Sequence, residues 1–175
     1  MLRAALDRLY LIAGGCAALC IVLICLIVSA QVGLNILARI GGPSLSFTIP
    51  SYADFAGFML AGATFMAMAH TLREGTHIRV NLVIQRLPLR FAWPLEVAVL
   101  TIGTALSAYA TWFCGALVHE SWVYGDMSTG IVAVPIWIPQ LTMLAGLGLL
   151  TIAIAHTLVE SLAARAPFLS DQGAE

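Results

Sequence analysis

Four stretches of this sequence, roughly residues 9–38, 49–72, 91–118 and 131–164, are long and apolar enough to cross a bilayer. A spanning helix needs about 20 apolar residues, because the hydrocarbon offers the backbone no hydrogen-bond partner and the segment must satisfy its own groups. Composition agrees: of 175 residues, 61% are hydrophobic and 10% charged, where a soluble domain carries roughly 25% charged residues. The predicted fold is therefore an all-α integral membrane protein. Residues 1–175 form one four-helix membrane domain, with residues 165–175 expected to be a flexible tail. The first run is far longer than the ~7–15 apolar residues of a signal-peptide core, so it reads as a retained span. "GGPS" at 41–44, the interval 75–88 and "YGDMSTG" at 124–130 hold the turn-forming residues between spans.

Orientation follows from arginine, since the chain has no lysine. Positively charged loops are retained in the cytoplasm. With four crossings, Arg3, Arg8, Arg73, Arg79, Arg86, Arg90 and Arg165 fall on one side and Arg39 alone on the other. Both termini are predicted cytoplasmic, with two short outer loops. The net charge of −1 gives no field that would gather nucleic acid.

The central loop, "HTLREGTHIRVNLVIQRLP" from His70 to Pro88, is the one place where charge gathers. Its first role is to anchor topology. From His77 to Leu87 it is predicted to form a short interfacial helix ended by Pro88. His77, Asn81 and Gln85 would share one side of that helix, opposite Arg79 and Arg86, a poor pattern for a purely lipid-facing helix. Arg73, Glu74, Gly75, His77 and Arg79 are accordingly candidate partner contacts.

The membrane interior lacks what an autonomous carrier uses. A protein that moves polar solutes keeps ionisable groups or broken helices near the midplane to replace the solute's water shell. Between Tyr10 and Ala38, Phe55 and Ala69, Val97 and Val118, and Ile131 and Ala155 there is no Asp, Glu, Arg or His. The prolines lie in loops or near span ends, where a first helical turn tolerates them. At the outer surface Arg39 ends the first span and Asp54 begins the second. They are candidates for an ion pair, the alternative being that each reaches water. Ala53, Gly57 and Ala61 make a small-residue stripe that would let a second helix approach closely, within the chain or from a partner. Cys16, Cys20, Cys25 and Cys114 sit inside apolar runs and form no CxxC pair, so they read as packing residues.

The first span closing in "NILAR", the stretch "REGTHIRV" and the segment "YGDMSTGIVAVPIWIP" resemble the small membrane subunit, of the DctQ type, of tripartite ATP-independent periplasmic (TRAP) transporters. The likeness covers nearly the whole chain. Its most specific parts are Gly75 with His77, Ile78 and Val80, and Gly125 with Asp126 and Ser128 followed by Pro135 and Trp137. Members often carry two acidic residues where this chain has "YADF" with Asp54 alone. The resemblance implies a bacterial inner-membrane complex in which a periplasmic binding protein delivers an organic anion to a large membrane subunit. Sodium and substrate sites would belong to that subunit, which moves like an elevator while the small subunit widens the scaffold. This chain would then be no enzyme and would hold no cofactor or metal of its own. Its partners would be the large subunit, the binding protein and membrane lipid, with Asp126 and Ser128 facing the binding protein.

Two other classes remain open at this point. His70 and His156 on facing helices would suit a four-helix cytochrome b-type electron carrier, and a small autonomous transporter or channel would suit the span count. His119 with Glu120 lacks a second histidine at metal spacing.

Overall fold

The structure, a computed structural model, describes residues 2–42, 46–73 and 89–164. Four helices account for nearly all of it: α1 (Leu2–Gly41), α2 (Tyr52–Arg73), α3 (Leu89–Tyr124) and α4 (Trp137–Ala164). All four are long and apolar enough to cross a membrane. The helices overrun the apolar stretches because polar residues at a membrane surface continue a helix as readily as apolar ones. In one place the helix is shorter than the apolar run. Residues 131–136 are apolar yet lie outside α4, where Met127 and Pro135 form an isolated antiparallel bridge. The predicted interfacial helix, with Glu74, Gly75, His77 and Arg79, and the tail 165–175 lie outside the described residues.

The helices do not close into a ring. Every substantial contact among the described helices runs α1 with α2, α2 with α4, and α4 with α3, so they stand in single file in the order α1, α2, α4, α3. Small residues form the seams. His70 of α2 lies over Gly14 of α1, its ring 2.8 Å from where a Cβ would stand. Gly62 faces Thr142, and Gly146 of α4 sits directly on the backbone of Phe65, leaving no room for a side chain. Close approach of this kind drives association where lipid is as apolar as the side chains. Thr111 and Thr151 hydrogen-bond across α3 and α4 at 3.1 Å.

One end of the file holds the N-terminal part of α1 and the C-terminal part of α4. There Tyr10, Ala69 and Ala153 form a small buried core flanked by Leu6, Leu72 and Leu149, and Trp93 donates its indole N–H to the Ser161 carbonyl at 3.1 Å. The opposite, loop end is held by hydrogen bonds. Gly125, at φ +66°, ends α3 in the left-handed turn that glycine enters most readily. The Asp126 amide then reaches back to the Ser121 carbonyl at 3.1 Å. Cys114 is buried and Cys20 half-buried, while Cys16 and Cys25 face outward. The packing role read for all four cysteines fits only part of the set.

Candidate functional site

Side-chain interactions between helices gather at both ends of the file, as a charge cluster at one and as hydrogen bonds at the other. At the terminal end Arg73, the last residue of α2, spans two helices. Its Nη1 donates to Glu160 Oε2 of α4 at 2.9 Å and its Nη2 to Asp7 Oδ1 of α1 at 3.4 Å. The Arg73 and Glu160 side chains are 12% and 15% exposed, whereas Asp7 is half exposed. The first contact is thus the partly desolvated one. His156, one turn before Glu160, places Nε2 3.7 Å from Glu160 Oε1. Two carboxylates, one guanidinium and one imidazole therefore meet where α1, α2 and α4 converge. The buried Tyr10 hydroxyl and His156 Nδ1 have no hydrogen-bond partner among the described residues.

Arg73 therefore does more than mark a loop as positive. A guanidinium presents two N–H edges in a fixed plane and joins two carboxylates at once, which a single ammonium does poorly. Sequence reading found Arg73 but missed Asp7 and Glu160, although an even number of crossings already puts all three at one membrane face. The histidines weighed as haem ligands are engaged differently: His70 packs on Gly14, and His156 turns toward Glu160.

At the loop end, residues 126–136 fold into a hairpin closed largely by Ser128. The Ser128 amide donates to the Val134 carbonyl at 2.8 Å, and the Ser128 hydroxyl accepts from the Val134 amide at 2.9 Å. The Ile136 amide donates to the Asp126 carbonyl at 3.0 Å, leaving the Asp126 side chain exposed at the surface. The hairpin is docked on the start of α2. Ser51 adopts φ +56°, unusual for a non-glycine residue, and its hydroxyl accepts from the Val132 amide at 2.9 Å. The Asp54 and Ser51 side chains lie directly against Gly130, so a side chain there would have to displace them.

The ion pair weighed between Arg39 and Asp54 is not formed. Arg39 is exposed near the end of α1, while Asp54 is half-buried beneath the hairpin. Asp54 and Ser128 thus take part in holding the outer loop, a role the sequence did not single out because Gly130 gave no signal beyond being a turn glycine. Ala53 and Gly57 are exposed, and a Cβ on Gly57 would meet nothing within 4 Å. The seams inside the chain use Gly62, Ala69 and Gly146 instead, and of the Ala53, Gly57 and Ala61 stripe only Ala61 is half-buried.

The arrangement offers no cluster of three or more metal-ligating side chains among the described residues. It offers two braced ends joined by apolar helices whose large side chains face outward, among them Leu11 at 63%, Leu106 at 64% and Trp112 at 77% exposure. That is the surface of helices long and apolar enough to lie in a membrane. In comparisons with known proteins, no curated protein and no solved structure matched. The sequence model for the DctQ component of tripartite ATP-independent periplasmic transporters matches residues 24–164, from the middle of α1 to the end of α4, taking in both the Arg73–Glu160 contact and the docked hairpin. By this match across most of its length, the chain belongs to the DctQ-component family of tripartite ATP-independent periplasmic transporters.

Proposed function

We propose that this chain is the stationary small subunit of a sodium-driven TRAP transporter in the bacterial inner membrane. It would support a large membrane subunit that imports an organic anion handed over by a periplasmic binding protein. The observation that carries the reading is the family match over residues 24–164, joined to spans with no Asp, Glu, Arg or His through their middle portions. A chain with so bare an interior has nothing to replace a solute's water shell. In this reading the chain contributes neither catalysis nor a cofactor, and sodium binds to the large subunit.

The arginine distribution supports placing the terminal end in the cytoplasm and the docked hairpin in the periplasm, where the exposed Asp126 carboxylate is available to a binding protein. Co-expressed with its large subunit, the chain is expected to purify as a one-to-one pair and to be required for uptake of the anion. Full-rate uptake by the large subunit and binding protein without this chain would overturn the proposal.

A further inference from the structure

Helix α3 carries two hydrogen-bonding aromatic residues at a depth where lipid cannot serve them. Between Glu96 and His119 the helix has no Asp, Glu, Arg or His. At 1.5 Å per residue that interval is about 34 Å, close to the ~30 Å of hydrocarbon. Tyr109 lies about 15 Å from the His119 level and about 20 Å from the Glu96 level, near the bilayer centre, with Trp112 one turn nearer His119. Tyr109 is 64% and Trp112 77% exposed. Tyr109 stacks on Phe113 at 4.5 Å, yet neither its hydroxyl nor the Trp112 indole N–H is hydrogen-bonded among the described residues. Tyr and Trp favour the membrane–water interface, where their polar tips find headgroups and water. At the centre an acyl chain offers no acceptor, so these donors are costly unless protein covers them.

Beside this ridge lies a groove of about 630 Å³ between α3 and α4, floored by Ala108, Thr111, Gly115 and Gly148 and walled by Trp112 and Ile152. The Thr111 and Thr151 hydroxyls lie 3.1 Å apart and each reaches the carbonyl one turn back, at 2.8 and 2.9 Å, so both of their protons are taken up within the chain and the floor is effectively apolar. A Cβ on Gly148 would meet nothing within 4 Å.

We infer that the α3–α4 face seats a transmembrane helix of a partner protein. The partner's apolar side chains fill the groove, and a hydrogen-bond acceptor on it, a Ser, Thr or Asn side chain or a carbonyl freed at a kink, meets Tyr109 and Trp112. Naming that partner as the large membrane subunit rests on the function proposed above; the face itself is argued from depth, exposure and missing acceptors alone.

The test uses the co-expressed complex in native membranes. A photo-reactive phenylalanine derivative is placed at Ala116 on the groove, or at Val22 on α1 as a control, and illuminated. Cross-linking to the large subunit from Ala116 and not from Val22 is the expected result. The large subunit captured from Val22 alone would overturn the assigned face while leaving the subunit reading intact. An adduct of two copies of this chain, or lipid adducts only at Ala116 in a complex that still co-purifies, would overturn the assigned occupant. Failure of the large subunit to co-purify in any variant would overturn the subunit reading and the partner named here. In parallel, Gly148→Leu has room within its own chain, so it should leave the isolated protein monodisperse while reducing the recovered complex at least about tenfold. Tyr109→Phe should weaken the complex about threefold, the usual scale of an interhelical hydrogen bond in membranes. Undiminished recovery of both variants would overturn the inference.

Discussion

Replacing Arg73 by methionine removes the one cation shared by α1, α2 and α4 and keeps most of the side-chain volume. At 2.9 Å from Glu160, and with an effective dielectric of about 20, the direct attraction is about 6 kcal/mol before desolvation is subtracted. Breaking a fully buried pair from one side costs ~3–5 kcal/mol; with the two side chains 12% and 15% exposed and His156 Nε2 still 3.7 Å from the Glu160 carboxylate, the loss falls at the lower end of that range. The Asp7 contact, at 3.4 Å and half exposed, adds less than about 1 kcal/mol. The expected destabilisation is therefore about 3 kcal/mol, or roughly 6–12 °C in melting temperature for a chain of this size. Thermal unfolding in detergent or nanodiscs measures it. Glu160→Gln in the Arg73→Met background should recover part of the loss, since the carboxylate charge facing the methionine is then removed. A shift under about 2 °C, or a double variant as unstable as the single, would refute the idea that this contact braces three helices.

Gly130→Ala should lift the outer hairpin from α2, costing about 1–3 kcal/mol by overpacking against Asp54. Hydrogen exchange at the Val132 amide, held by Ser51, should quicken. Gly146→Ala should force α4 away from the Phe65 backbone and lower the melting temperature more than Gly15→Ala, whose added Cβ would meet nothing within 4 Å. Reporter fusions after Gly41 and after Asp126 should read as periplasmic and one after Gly75 as cytoplasmic; the opposite pattern would invert the arginine argument. In the central loop, Arg79→Lys and His77→Ala should preserve insertion yet weaken co-purification with the large subunit or uptake, while Arg90→Lys should leave both insertion and co-purification unchanged.

The spans were legible because hydropathy and length act locally, and lipid enforces them residue by residue. Their ends were less so. The run Ile131–Ile136 reads as the start of a span by composition, but Pro135 sits in the bridge with Met127 and the Ser128 hydrogen bonds bend the segment into a hairpin. Hydropathy records how apolar a residue is and says nothing of where its amide points. The order of the helices was not legible either, since it is set by seams such as Gly146 on Phe65 and Gly14 under His70. In a chain rich in glycine and alanine many positions look equally able to form such seams, and the regular stripe of Ala53, Gly57 and Ala61 leaves its first two residues exposed. Arg73 was visible as a charge, but its partners lie 66 and 87 residues away along the chain.

The single-file order bears on how the protein is made. Helices leave the ribosome as α1, α2, α3, α4, yet α3 touches its neighbours chiefly through α4, which stands between it and α2. The first two helices can close on one another as soon as both are in the bilayer, with Gly14 receiving His70. The third has no seat at that moment. It must wait in lipid, with Thr111 and Gly115 uncovered, until the last helix is synthesised and slots in between. Only then do Trp93 find Ser161 and Arg73 find Glu160. Synthesis halted after α3 would leave a tight pair and a stray helix, a natural substrate for membrane proteases that sense unassembled segments.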